Sequence, residues 1–158
     1  MKGESESFLE RAIALALANA RDGGGGPFAA LVVKDGRVIA EGVNLVTSAN
    51  DPTAHAEVVA IRAACRALGH FQLEGCEVYS SCEPCPMCLG AIYWARPARV
   101  YYAATAEDAS QAGFDDSFIY RQIALARGER AIPMIALATP EVLRPFQAWR
   151  AKAGKKAY

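Results

Sequence analysis

The chain has 158 residues, the length of one domain, and 53% of them are hydrophobic, which is enough for one buried core. Its 17 basic and 17 acidic residues cancel, whereas a protein that binds a polyanion usually carries a basic excess. We therefore expect no nucleic-acid partner. The first residues lack the apolar core of a signal peptide, and no apolar run approaches the ~18 residues of a membrane span. Five cysteines without an export signal are expected to be thiols or metal ligands in the cytoplasm.

The first half of the chain predicts a helix, a β-hairpin and a second helix. Ser7 and Glu10 have the spacing of a capping box and open an Ala- and Leu-rich helix, which glycines 23–26 end. Two β-prone runs flank Asp35–Gly36, a pair typical of hairpin turns. The predicted bounds are Phe28–Lys34 and Arg37–Glu41 for the strands, 42–52 for a polar loop and Thr53–Leu68 for the helix.

The second half predicts three strands that alternate with three helices. The strands are expected at Cys76–Ser81, Arg99–Ala104 and Ile132–Ala138. The helices are expected from the Pro84 and Pro86 turn to Ala95, over Asp116–Arg127, and from Pro145 to the C-terminus. Alternation of this kind predicts a single α/β domain, residues 1–158, in which one sheet is covered by helices.

Residues at the starts of two predicted helices have the chemistry of a zinc site: His55, Cys85 and Cys88. Zinc favours imidazole and thiolate ligands in a tetrahedral arrangement. Two cysteines three positions apart at a helix start can bind one ion, and the helix N-terminus favours the thiolate form. Three protein ligands leave a position for water, the arrangement of a catalytic zinc.

Glu57 lies two residues beyond His55, on a different side of the predicted helix, so the metal does not need it as a ligand. Zinc lowers the pKa of its bound water toward ~7. A nearby carboxylate can then carry protons from this water to a ring nitrogen and a leaving amine. Hydrolytic deamination requires these roles, so Glu57 is the predicted catalytic residue.

The ligand set has one alternative, because Cys82 lies three residues before Cys85. Three thiolates and His55 would give four protein ligands and a closed structural site. The pattern H-x-E followed by P-C-x-x-C is the signature of zinc deaminases, and it selects Cys85 and Cys88. Cys65 and Cys76 are predicted to be small core residues.

These motifs resemble a known family. Asn50–Glu57 (NDPTAHAE) and Ser80–Ala95 (SSCEPCPMCLGAIYWA) resemble the cytidine deaminase-like superfamily. Within it, three stretches are similar to the small bacterial guanine deaminases: Gly25–Phe28 (GGPF), Ala112–Tyr120 (AGFDDSFIY), and a tail with PFQAWR that ends at Tyr158. The resemblance runs from about Phe8 to Tyr158.

The resemblance implies a three-layer α/β/α fold with a central mixed five-stranded sheet. It implies one Zn²⁺ per chain and hydrolysis of guanine to xanthine and ammonia. It also implies a homodimer in which C-terminal segments, about 140–158, are exchanged and cover the partner's pocket. The purine contacts that it implies are Asn44, Asp116, Phe28 and the backbone of Ala56, with Trp94 and Tyr158 closing the site. One departure is Ala29–Ala30, where the family often has a glycine.

Residue chemistry gives these contacts weaker, independent support. The Asp116 carboxylate can accept two hydrogen bonds at once, as N1–H and the amine of guanine would offer, or it could cap a helix. Asn44 can donate and accept, or serve as a turn residue. Phe28 and Trp94 also suit a core. Phe146 and Trp149 form an apolar stripe that must be covered by another surface. The alternative is a helix that folds back on the sheet of its own chain and ends in a frayed last turn.

Other functions share the zinc pattern. A tRNA adenosine deaminase would need a basic surface, and a cytosine or cytidine deaminase is compatible with the zinc motif alone. A zinc-binding module without activity would have no need of Glu57. The resemblance makes guanine the predicted substrate of a small-molecule hydrolase, and a tRNA adenosine or cytosine deaminase is the alternative.

Overall fold

The computed structural model describes residues 3–158 and divides the chain into two units, one ending at Asp116 and one covering Ser117–Tyr158. The first unit contains nine elements, in chain order: α1 Glu4–Asp22, β1 Ala29–Lys34, β2 Arg37–Val43, α2 Val46–Ala49, α3 Ala56–Leu68, β3 Cys76–Cys82, α4 Pro86–Ala95, β4 Arg99–Ala104 and α5 Ala106–Gln111. No helix in the described part of the chain has the length and apolar character of a membrane span.

The sheet of the first unit is mixed, with strand order β2-β1-β3-β4. β1 is antiparallel to β2 and to β3, and β3 is parallel to β4. This confirms a mixed α/β sheet, but the predicted five strands are four among residues 3–158.

The strand predicted at Ile132–Ala138 is the one that does not form. The run has the apolar, β-branched composition of a strand, yet it is irregular, and Ile132 and Leu137 are 82% and 81% exposed. A strand needs a neighbour to accept and donate its backbone hydrogen bonds, and β-propensity does not supply one. Composition alone therefore gave a wrong prediction here.

Helices cover both faces of the sheet, as the layered fold requires. Strand side chains alternate between faces, so Val78 packs toward α3 and Tyr79 toward α1. The α3 face is lined by small residues of the helix, including Ala56, Ala60 and Ala64, against Ala30, Val32 and Val78. Small helix residues allow α3 to lie close to the strands, which sets the position of its N-terminus.

Several predicted boundaries shift for local reasons. α1 begins at Glu4, one turn before the Ser7 box, because the backbone N–H of Gly3 donates to Glu6 Oε2 at 3.1 Å. The predicted 42–52 loop contains the end of β2 and the short helix α2. α5 went unpredicted, although Thr105 and Asp108 form the reciprocal side-chain and backbone bonds of a capping box.

The second unit is described separately and has little interior. It comprises α6 Ser117–Ala124, a 3₁₀ turn Arg127–Glu129 and α7 Arg144–Ala151. Each residue from 117 to 158 is at least partly exposed, including large apolar side chains on both α-helices. An apolar groove is lined by side chains of this unit, among them Phe118, Ile123 and Ile132.

A close approach at Gly42 generates the first prediction. A Cβ at Gly42 would lie 2.3 Å from the Ala56 carbonyl oxygen and 2.5 Å from the Ala60 nitrogen, both backbone atoms of α3. We expect Gly42→Ala to lower the free energy of unfolding by about 1–3 kcal/mol, the usual cost of overpacking. The matched control is Gly90→Ala in α4, where no atom lies within 4 Å of the new Cβ. Urea unfolding should show Gly90→Ala neutral or stabilising by about 0.5–1 kcal/mol, and equal effects of the two changes would contradict the close approach.

Candidate active site

Two helix N-termini converge to form the site. His55 is the N-cap of α3 and Cys85 is the N-cap of α4, and both have extended backbone. The His55 side chain makes no capping hydrogen bond to its own helix, and the Cys85 sulfur accepts the backbone N–H of Cys88. Pro86 occupies the first turn of α4, where its missing N–H has no cost, and Cys88 follows in the same turn. The two caps therefore present their side chains to each other.

The three predicted ligands lie at metal-binding distances. His55 Nδ1 is 3.5 Å from Cys85 Sγ and 3.6 Å from Cys88 Sγ. The three donor atoms all lie within 4.8 Å of one another. A tetrahedral zinc, with Zn–N of about 2.0 Å and Zn–S of about 2.3 Å, separates its nitrogen and sulfur ligands by about 3.5 Å. The two N–S distances therefore match those expected around a zinc ion.

The electrostatics of the thiols suit a cation. A hydrogen bond from the Cys88 thiol lowers the pKa of Cys85, and a second hydrogen bond, with His55, acts in the same direction. The same bond with Cys85, together with burial, raises the pKa of Cys88. The hydrogen bond with Cys85 raises the pKa of His55. Cysteine and histidine bind metals in their deprotonated forms. A bound cation would replace the protons that these three groups share.

Glu57 lies beside the cluster and is buried, with 6% of its surface exposed. Its Oε1 accepts a hydrogen bond from Ser80 Oγ at 3.1 Å, and its carboxylate also contacts the Cys88 thiol. Burial raises the pKa of Glu57 above its usual range. A buried carboxyl next to a metal site is placed to accept and return protons.

Asn44 directly follows β2 and is buried beside the glycine loop 23–26. Its Oδ1 accepts N–H bonds from Gly26 at 3.3 Å and Val46 at 3.2 Å. Because these two bonds occupy the oxygen, the amide NH₂ is the part of Asn44 that is suited to a ligand. Asn44 would therefore act toward a ligand as a hydrogen-bond donor and not as an acceptor. Gly25 is required here, because its Cβ would lie 1.8 Å from the Asn44 carbonyl oxygen.

Sequence reasoning missed Asn19, which holds this loop from α1. Its Nδ2 donates to the carbonyl oxygens of Gly26 at 2.8 Å and Asn44 at 2.9 Å. Asparagine inside an alanine-rich helix is a poor helix former, and its helical spacing from Ala12 and Ala16, which are buried with it, is the signal that could have found it.

Phe28 and Asp116 lie on segments linked by an aromatic contact. The Phe28 ring meets Phe114 edge to face, with 4.9 Å between centroids and an interplanar angle of 87°. Asp116, two residues later, is partly buried; burial and then the Cys85 thiolate raise its pKa. The contact of Asp116 with the purine stays a prediction.

Three more residues were predicted to contact the purine or to close the site: Ala56, Trp94 and Tyr158. Ala56 is the first residue of α3, so its N–H has no acceptor inside the helix and is available to a ligand. Trp94 is 62% exposed and lies six residues along α4 from Cys88, about 9 Å. Tyr158 ends the second unit with 71% of its surface exposed. Their predicted roles stay predictions.

Cys82 stands apart from the ligand cluster. Its Sγ donates to the Thr105 carbonyl oxygen at 3.6 Å, and burial raises its pKa to about 11. A buried, protonated thiol engaged elsewhere is a poor metal ligand. The geometry thus favours three protein ligands and an open fourth position.

Matched cysteine variants test the ligand set. Cys85→Ser should lose most of the bound metal, because a hydroxyl replaces a thiolate ligand. Cys82→Ser should keep about one zinc per chain. Elemental analysis of both variants beside the parent gives the stoichiometry. Loss of zinc from the Cys82 variant would show a closed, structural site instead.

Comparison with known proteins agrees with this geometry. Residues 2–104 match the family described as cytidine and deoxycytidylate deaminase zinc-binding region. The chain is 61% identical to the guanine deaminase of Bacillus subtilis over 97% of its own length and 98% of that protein. The structure also matches the X-ray structure of guanine deaminase from Bacillus subtilis, with a TM-score of 0.96 and 59% identity. This match includes 100% of the present chain and 99% of the Bacillus subtilis chain.

A second kind of relative shares less of the chain. The tRNA-specific adenosine deaminase of Agrobacterium fabrum is 50% identical over 64% of this chain and 66% of that protein. The zinc-binding region is thus common to enzymes with different substrates, whereas the match to the Bacillus subtilis guanine deaminase extends over nearly the full length of this chain. The chain belongs to the zinc-dependent cytidine and deoxycytidylate deaminase family, in the branch that contains this guanine deaminase.

Proposed function

We propose that this protein hydrolyses guanine to xanthine and ammonia. The observation that carries the proposal is the match to the Bacillus subtilis guanine deaminase over 97% of the chain. This match extends well beyond the zinc-binding region, residues 2–104. The tRNA deaminase match covers only 64% of the chain. The neutral charge balance also disfavours a polyanionic substrate.

The proposed chemistry divides between a metal and Glu57. His55, Cys85 and Cys88 would hold a zinc ion, whose chemistry would be to activate a water as a nucleophile at neutral pH. Glu57 would accept one proton from the water that adds to C2 of guanine and pass it to ring N3. It then moves the second proton from the new hydroxyl to the amine, which leaves as ammonia, so that water and guanine balance with xanthine and ammonia.

The purine would be held by groups of opposite hydrogen-bonding character. The Asn44 NH₂ and the Ala56 N–H are donors, which suit the acceptor atoms of guanine. Asp116 is an acceptor, which suits N1–H and the exocyclic amine. Phe28 offers an aromatic surface to the ring. We infer that this pattern of donors and acceptors selects guanine over adenine, which has no N1–H donor.

Glu57→Gln tests the proposed proton carrier. The variant keeps the size and burial of the side chain but cannot exchange protons as a carboxylate does. We expect xanthine formation to fall by ~10²–10⁴-fold or more, with zinc content and thermal unfolding close to the parent. Steady-state assays with guanine measure the rate. Near-parent turnover would place the proton transfer on another group.

We further propose a homodimer in the cytoplasm, in which the C-terminal segment, about 140–158, covers the partner's site. The second unit has no buried residue between 117 and 158, so its apolar side chains are left for another surface to cover. The sheet ends at β4, whose outer edge has no strand beside it among residues 3–158. The five free thiols suit a reducing compartment.

Complementation between two inactive variants tests this arrangement. A chain ending at Trp149 should fold and bind zinc but deaminate guanine poorly, because its partner's site lacks a cover that excludes water. Mixed with full-length Glu57→Gln, it should regain activity, since a mixed dimer pairs an intact Glu57 with an intact partner tail. Full activity of the truncated chain alone, or no recovery on mixing, would contradict the exchange.

A further inference from the structure

A hydroxyl group interrupts the otherwise apolar face of β3. Val78 and Ser80 lie on the face that packs against α3, where the neighbouring residues are Ala30, Val32 and Ala56. Ser80 is 2% exposed. A hydroxyl in such a place costs free energy unless it is hydrogen-bonded, so its partner indicates why it is there.

The partner of Ser80 is the predicted catalytic carboxylate. Ser80 Oγ donates to Glu57 Oε1 at 3.1 Å. The Cys88 thiol also contacts this carboxylate. A thiolate bound to a metal has no proton to donate, so the Ser80 hydrogen bond would persist with metal bound and the Cys88 bond would not.

We propose that Ser80 is a positioning residue that fixes the orientation of the Glu57 carboxylate. The inference rests on the proposed function and deepens it. With Oε1 held by Ser80, the plane of the carboxylate is set and Oε2 is the oxygen that receives and returns protons. Ser80 touches neither metal ligand nor substrate in this account, so its loss should slow the proton-transfer step and leave guanine binding unchanged.

The neighbouring residue provides a matched control. Ser81 is also buried, on the same strand, but on the opposite face, and its Oγ accepts the backbone N–H of Ala29 at 3.0 Å. Removing either hydroxyl is the same chemical change within one strand. Only the change at Ser80 removes a bond to Glu57.

The test compares zinc-loaded Ser80→Ala, Ser80→Val, Ser80→Thr and Ser81→Ala with the parent. We expect kcat for guanine to fall about 10- to 100-fold in Ser80→Ala and Ser80→Val, as for loss of a hydrogen bond to a charged group, with KM unchanged. Ser80→Thr, which has the shape of valine and keeps the hydroxyl, should recover most of kcat. Ser81→Ala should retain the parental kcat per zinc-loaded chain. Because Thr and Val match in volume, a packing defect would affect both equally.

A second arm asks whether Ser80 acts through Glu57. In the Glu57→Gln background, Ser80→Ala should cause little further loss, whereas independent effects would multiply. An active parent whose Ser80→Ala variant keeps full kcat, or a Ser80→Thr variant as slow as Ser80→Val, would overturn the positioning role alone. A zinc-loaded parent that forms no xanthine would overturn the proposed function and this inference with it.

Discussion

The approach of two helix N-termini is the constraint on which the site depends. His55 and Cys85 each begin a helix, and their donor atoms lie 3.5 Å apart across 30 residues of sequence. The first turns of both helices present unpaired N–H groups and a partial positive charge, which favours thiolate. Each ligand is therefore set by a rigid element, and the spacing between them is set by how α3 and α4 pack against the sheet.

That packing is achieved with very small residues. Gly42 allows α3 to lie against β2, and the alanines of α3 form the facing surface. Gly25 plays a similar part on the substrate side, where the loop passes the Asn44 carbonyl oxygen too closely for a side chain. These close contacts determine where Glu57 and Asn44 lie with respect to the metal ligands, so positions far from the chemistry affect its geometry.

Local sequence patterns predicted the grouping of His55, Cys85 and Cys88 and most helices and strands of the first unit, because short-range signals determine them. The H-x-E and P-C-x-x-C spacings coincide with helix starts, and β4 lies where composition placed it. Ser80 and Asn19 were missed because their importance comes from tertiary contacts at long sequence separation, with Glu57 and with Asn44. The strand expected at 132–138 failed for a related reason, since pairing depends on a neighbour that local sequence does not specify.

Substrate choice is the central question, because the zinc-binding region is shared with tRNA deaminases whereas one guanine deaminase matches nearly the whole chain. The direct measurement is a comparison of kcat/KM for guanine, cytidine and adenosine within tRNA, using the same zinc-replete preparation. Guanine should give equal amounts of xanthine and ammonia, with kcat/KM at least ~10²-fold above the other two substrates, because unpaired buried polar groups would reject a purine or pyrimidine without the matching donors. Faster deamination of tRNA or cytidine would contradict this prediction.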